Sequence, residues 1–366
     1  MTETAADIVR QDLDSICTTL TPELGRIAGK RLLITGGAGF LGYYLVQTVT
    51  RWNELARTAP IELTVIDNFI RGAPPWLTAL EQAGAFRLLR HDMARPLPAN
   101  LEQFAYVIHA AGIASPTYYR TYPIETMDAN INGLRNLLEH ARAGQQLEGF
   151  LFYSSSEIYG DPDPHSIPTP ETYRGFVSCT GPRACYDEAK RFGETLCVNF
   201  FRQHGLPVKA ARPFNNYGPG LKITDGRVIP DFARDIFAGR DIQMLSDGSA
   251  TRTFCYVADA VCGYLKILVR GRPGEAYNIG VETPEIAMRD LAQKLVLLAR
   301  GLFGYQGKVV LARSQDRDYL IDNPNRRCPL ITKARSELDY QPQVSLDEGL
   351  RRTLVWYSGN RAGTEA

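Results

Sequence analysis

Arg31-Leu32-Leu33-Ile34-Thr35-Gly36-Gly37-Ala38-Gly39-Phe40-Leu41-Gly42 carries an apolar strand into a glycine-rich turn, and Tyr43 to Arg51 then reads as a helix. Leu41, Leu45, Val46 and Val49 fall on one side of that helix, the spacing of a buried face. Gly36, Gly39 and Gly42 stand three apart: one for a tight turn, one for close approach of a pyrophosphate, one for packing helix on strand. The helix N-terminus adds unpaired N–H groups and a positive dipole end. A glycine turn between any strand and helix looks similar, so the context decides. A second apolar strand, Glu62 to Ile66, ends in Asp67, 25 residues past Gly42. There a carboxylate can accept hydrogen bonds from an adenosine ribose. Gly36, Gly39, Phe40, Leu41 and Gly42 are thus expected to hold a dinucleotide, with Asp67, Asn68 and Arg71 at its ribose.

Composition narrows the class. The chain has 366 residues, 41 Lys+Arg against 40 Asp+Glu and a formal charge of +1, with no basic block. No nucleic-acid or membrane-surface partner is expected from such a balance. No apolar run approaches the ~18 residues of a membrane span. Residues 1–29, with Asp7, Asp12, Asp14 and Glu23, lack the apolar core of a secretory signal, so a cytoplasmic enzyme is the expectation. Seven cysteines without a CxxC pair read as reduced thiols and as neither a disulfide nor a zinc framework. No metal site is expected. Cys185 stands beside Tyr186, where a packing role is the ordinary explanation.

Strands and helices alternate from 31 to 154: strand 31–35, helix 41–51, strand 61–66, helix 76–83, strands 86–90 and 104–109, helix 123–142, strand 149–154. Such alternation predicts an α/β fold, a Rossmann-type doubly wound parallel sheet, and ligands then gather at the carboxyl ends of the strands. Asp92 and Met93 follow the third strand, Ala110, Ala111 and Gly112 the fourth, and Ser154 to Glu157 the fifth. The small residues at 110–112 suit either close passage of a cofactor or a tight turn. A Pro/Gly-rich connection spans 158–182, a helix about 182–204 and a strand 207–212. The shorter elements beyond predict a smaller, mostly C-terminal α/β lobe for substrate. The expected division is an N-terminal extension 1–29 with a helix over Ile8–Leu20, a dinucleotide-binding domain 30–215, and a lobe 216–366, with some exchange of chain between the two.

Tyr186 and Lys190 lie one helical turn apart and share a face. A phenol titrates near ~10, too high for a base at neutral pH unless a nearby cation favours the phenolate. Lys190 is such a cation, and an oxidised nicotinamide is a second. Ser155 can hydrogen-bond the same substrate oxygen. Together they would take the proton of an alcohol while its hydride moves to NAD⁺.

These motifs resemble the extended short-chain dehydrogenase/reductases, the NAD-dependent epimerase/dehydratase family that modifies nucleotide sugars. The resemblance runs from about residue 30 to 357. Within the family, Ser155-Ser156-Glu157-Ile158-Tyr159-Gly160-Asp161-Pro162, Gly181-Pro182-Arg183-Ala184-Cys185-Tyr186-Asp187-Glu188-Ala189-Lys190-Arg191, Asp225-Gly226-Arg227-Val228 and Thr251-Arg252-Thr253-Phe254 are similar to the UDP-glucuronate decarboxylase branch. That branch implies NAD retained through the cycle, oxidation at C4, loss of CO₂ from the β-keto acid and return of the hydride. It implies a catalytic set of Ser155, Glu157, Tyr186, Lys190 and Arg252. It also implies sugar-nucleotide contacts at Ser156, Asn215, Arg227, Arg252 and Arg327, a UDP-sugar being favoured. Arg252 would anchor the substrate carboxylate and the diphosphate region. A homodimer through helices 123–142 and 183–204 is implied as well, with apolar residues at Ile131, Leu134, Leu137, Leu138, Phe192, Leu196, Val198, Phe200 and Phe201. A 4,6-dehydratase, a 4-epimerase and a non-catalytic NAD(P)-binding protein are the alternatives. Ser156-Glu157 replaces the Asp-Glu usual in dTDP-glucose dehydratases, although GDP-mannose dehydratases share Ser-Glu. The chain departs from the decarboxylases at Gly220-Leu221-Lys222, where they carry Arg-Met, at Leu330, where they carry Asp, and at 111–115, where they tend to have an extra proline. These departures bear on the sugar and the base.

Overall fold

In the computed structural model, which describes residues 3–55, 59–314, 321 and 323–360, the quoted stretch opens with an interior strand of a seven-stranded sheet. The strands are β1 (Arg31–Thr35), β2 (Glu62–Asp67), β3 (Arg87–Arg90), β4 (Tyr106–His109), β5 (Gly149–Tyr153), β6 (Val208–Pro213) and a seventh, Ala276–Ile279. Their spatial order is seventh-β6-β5-β4-β1-β2-β3, every pairing parallel. Leu32 and Ile34 pack into one layer and Leu33 into the other, all fully buried. This is why β1 reads as a continuous apolar run.

Nine helices carry the description: α1 (Ala5–Thr19), α2 (Thr21–Ile27), α3 (Phe40–Leu55), α4 (Pro75–Gln82), α5 (Pro116–Thr121), α6 (Pro123–Gly144), α7 (Ala184–His204), α8 (Val228–Phe237) and α9 (Val257–Arg270). α6 and α7 lie side by side and bury Leu134, Leu137, Leu138, Leu196 and Phe200 against one face of the sheet. α3 and α9 cover the other face with residues of the C-terminal half. The seventh strand, counted from sequence with the C-terminal lobe, belongs to this sheet: Ala276 to Ile279 register with Ala210 to Pro213.

The N-terminal segment forms two helices where one was expected. Thr4 caps α1 through a capping box with Asp7, and α1 packs on α3, α9 and the helix Leu346–Gly359. Asp12 of α1 is fully buried and accepts hydrogen bonds from Tyr44 and Tyr256 (2.6 Å each) and Arg352 (2.5 Å). One carboxylate thus joins the extension to α3, to the start of α9 and to the last helix.

The 251–256 stretch divides between two sheets. Thr251–Arg252 pairs antiparallel with Ile286–Ala287 and parallel with Arg326–Arg327, which sets Arg252 opposite Arg327. Cys255–Tyr256 pairs with Asn216–Tyr217. Among the described residues no helix is long and apolar enough to cross a membrane.

Candidate active site

The glycine turn is fixed by close backbone contact. Gly36 has φ +77°, and a Cβ there would lie 2.6–2.8 Å from the main chain of Ala110 and Ala111. A Cβ on Gly42 would lie 2.4 Å from the Gly37 carbonyl oxygen, so α3 cannot start this close to β1 with a larger residue. Gly36, Gly39, Phe40, Leu41 and Gly42 line one wall of a cleft of about 1120 Å³, above the ~300–1,000 Å³ usual for one small ligand. Ala110 and Gly112 continue that wall, and Ala111 packs against the apolar layer beneath it. The turn, the helix N-terminus and the size of the cleft fit a dinucleotide beside a second ligand.

The other residues expected at the cofactor take varied positions. The Asp67 carboxylate accepts from Ala38 N (3.0 Å) and Phe69 N (2.8 Å), bracing the turn. Burial pushes its pKa up and these donors pull it back. The Asn68 side chain accepts from Ile70 N, and that of Asp92 from Ala94 N. Met93 is buried under α6 beside Gly133. Arg71 forms an ion pair with Asp225 at 2.8 Å.

The opposite wall holds the Ser, Tyr and Lys. Ser155 follows β5 and caps the single 3₁₀ turn Ser156–Tyr159, its Oγ accepting from Glu157 N at 3.2 Å. Tyr186 and Lys190 project from α7 into the same cleft as Ser155 and the buried Ser156. Lys190 Nζ donates to the Tyr153 carbonyl (2.7 Å) and lies 5.5 Å from the Tyr186 ring centre. Burial pushes Lys190 down to about 7. Burial raises Tyr186 to about 12, against the pull of the Ser155 hydroxyl. The Tyr186 ring stacks on Tyr119 at 5.3 Å and 13°.

Below them lies a cluster of guanidinium groups. Arg327 grips Glu157 with two hydrogen bonds of 2.5 Å, and Arg183 takes the same carboxylate at 2.5 Å. Burial works to raise the Glu157 pKa, but the two arginines outweigh it and hold the group well below the usual carboxylate range. Arg252 donates to the carbonyls of Thr251 (2.7 Å), Pro324 (2.5 Å) and Asn325 (3.1 Å) and to the Asn323 side chain (3.2 Å). Among the described residues no carboxylate lies within ion-pair distance of it. Burial, then the charges of Arg327 and Arg183, lower its pKa to about 9. Asn215, at φ +42°, donates to the Thr253 carbonyl, and Arg227 sits 3.2 Å from Asp225. Both line the cleft.

Sequence reasoning did not single out Arg183 as the second clamp on Glu157, nor Tyr119 as the stacking partner of Tyr186. It also placed no element over α5. Ser115-Pro116 was the available signal, a serine at the N-cap position with proline at the first helical position.

The NAD dependent epimerase/dehydratase family matches residues 32–280. The chain is 37% identical over 321 residues to UDP-glucuronic acid decarboxylase 5 of Arabidopsis thaliana, covering 87% of each chain. Its fold is similar to that of an epimerase from Methanothermobacter thermautotrophicus (TM-score 0.80, 27% identity, 95% of this chain and 98% of that one). It is also similar to the Bordetella bronchiseptica enzyme WbmF in complex with NAD+ and UDP (TM-score 0.73, 27% identity, 93% and 96%). From the glycine turn of β1 to the seventh strand, the chain belongs to the NAD-dependent epimerase/dehydratase family.

Proposed function

We propose that this protein is a UDP-glucuronate decarboxylase that works through a transient 4-keto sugar. The observation that carries this reading is Arg252: a buried guanidinium on the cleft wall with no carboxylate within ion-pair distance among the described residues. A buried charge costs several kcal/mol unless it is paired. A substrate carboxylate supplies that pair, and the relatives named as decarboxylases of UDP-glucuronic acid act on such a sugar.

Gly36, Gly39, Phe40, Leu41 and Gly42 would hold NAD⁺ along the cleft wall, where it would supply a reversible two-electron acceptor for the C4 hydride. Tyr186 takes the C4 hydroxyl proton, with Ser155 hydrogen-bonded to the same oxygen and Lys190 favouring the phenolate. The resulting carbonyl lies β to the carboxylate. The C5–carboxylate bond breaks, its electron pair enters the C4 carbonyl to give an enolate, CO₂ leaves, and a proton from solvent water adds at C5 as the C4 carbonyl re-forms. Tyr186 returns its proton as the 4-hydroxyl re-forms. Glu157, both oxygens held by guanidinia, acts as counter-charge and positions Arg327 and Arg183. An acid engaged in this way is poorly suited to expel a sugar hydroxyl, which favours decarboxylation over dehydration.

Arg252→Lys keeps the charge but loses the planar fork. With a charge-assisted hydrogen bond at ~1.5–3 kcal/mol, the Kd for UDP-glucuronate should rise roughly ten- to hundredfold, and that for UDP less. Calorimetric titration with both ligands checks this. Equal losses would make Arg252 a brace for the 323–325 segment and favour the dehydratase or epimerase alternative.

We also propose a homodimer through the outer faces of α6 and α7. Of the apolar residues found on more than one side of these helices, Leu134, Leu137, Leu138, Leu196 and Phe200 pack inward on the sheet. Ile124 and Met127 are exposed and Ile131 is half-buried in line with them at helical spacing, and Phe192 of α7 is exposed as well. Light scattering at micromolar concentration should give a dimer mass, and Ile124→Glu with Phe192→Glu should give a monomer. The seven free cysteines support a reducing, cytoplasmic setting.

A further inference from the structure

We propose that Arg71 and Asp225 form a latch across the cofactor cleft that sets how fast NAD⁺ is released. Arg71 lies on the loop after β2, in the dinucleotide half, and Asp225 on the 218–227 segment that leads into α8. Arg71 Nη1 donates to Asp225 Oδ2 at 2.8 Å, and Lys222 Nζ of the same segment donates to the Arg71 carbonyl at 2.7 Å. Ser115 Oγ donates to the Asp225 carbonyl (2.7 Å) and Arg227 Nη2 to the Ala114 carbonyl (3.3 Å). The 218–227 segment is thereby tied to two of the loops at the carboxyl edge of the parallel sheet. Arg71, Ser115, Asp225 and Arg227 line the same cleft as the glycine turn.

The bridge is placed to be strong. The Asp225 side chain is 2% exposed and that of Arg71 28%, and the Arg71 guanidinium rests 4.7 Å from the Tyr118 ring centre. Parting the two would leave a buried carboxylate with Arg227 alone beside it. A cofactor lying along the glycine turn cannot leave past this segment while the bridge holds. An enzyme whose nicotinamide would give the hydride back to the sugar within the same cycle has no need to exchange its cofactor in each turnover, so slow release does not slow turnover. This inference rests on the cleft being the NAD site and not on which sugar is used.

The test loads the full chain with NAD⁺, removes free cofactor, and dilutes the complex into alcohol dehydrogenase and ethanol, which reduce NAD⁺ as it is released. NADH absorbance then reports the release rate. Arg71→Ala and Asp225→Asn should each release NAD⁺ about ten- to hundredfold faster than wild type, from the worth of a charge-assisted bond. The double variant should be little faster than either single, because both remove one interaction. Arg71→Lys should lie between, and added salt should speed release from wild type more than from Arg71→Ala. If Asp225→Asn does not fold, the Ala, Lys and wild-type series with its salt dependence still decides. Release at the wild-type rate in every variant, or effects that simply add in the double, would overturn the latch. Failure of wild type to take up NAD⁺ at all would instead overturn the cofactor site on which it rests.

Discussion

Tyr186→Phe yields a protein that still binds NAD⁺ and turns over its nucleotide sugar about 10²–10⁴-fold more slowly. The substituted ring keeps its stack on Tyr119 at 5.3 Å, and only the oxygen that takes and returns the proton is gone. Burial sets the Lys190 amine at about 7 and the Tyr186 phenol at about 12 before ligands enter. The cation that favours the phenolate is therefore lost from the free enzyme as pH rises through about 7, so kcat/KM, which reports the free enzyme, should fall there. Lys190→Arg, which does not titrate in this range, should lose that limb. Near-wild-type turnover by Tyr186→Phe would remove Tyr186 from the chemistry.

Glu157→Gln should lower stability by roughly 3–5 kcal/mol, the cost of breaking a buried ion pair from one side. The amide keeps the shape but leaves the Arg183 and Arg327 side chains, 13% and 9% exposed, without their shared counter-charge. The pH dependence has a definite sign. The folded-state pKa of Glu157 is depressed, so its contribution is present above the unfolded value of ~4.3 and is lost as pH falls toward the folded value. Urea unfolding at neutral pH should show the full difference between the two proteins, and the gap should narrow in acid. A loss below about 1 kcal/mol, the range of exposed pairs, would mean that solvent already screens the cluster.

Local pattern made much of this legible. The β1 turn and α3 announced themselves through glycine spacing and a helical apolar stripe, and Tyr186 and Lys190 through one turn of helix. What escaped depends on distant partners. Ala276–Ile279 falls within the 216–366 lobe by sequence, and its place beside β6 is a matter of long-range pairing that no local window contains. Glu157 and Arg327 are 170 positions apart, and Arg252 faces Arg327 only because Thr251–Arg252 pairs with Arg326–Arg327. The apolar residues on more than one side of α6 divide between two tasks that spacing alone does not separate: Leu134, Leu137 and Leu138 serve the sheet beneath, and Ile124 and Met127 face outward.

The central claim, decarboxylation on an NAD-dependent epimerase/dehydratase scaffold, is tested most directly by mass spectrometry of the product from UDP-glucuronate and NAD⁺-loaded protein. The predicted result is a UDP-sugar lighter by one CO₂, formed over many turnovers without net consumption of NAD⁺. A product lighter by one water, or one of unchanged mass with altered chromatography, would contradict it.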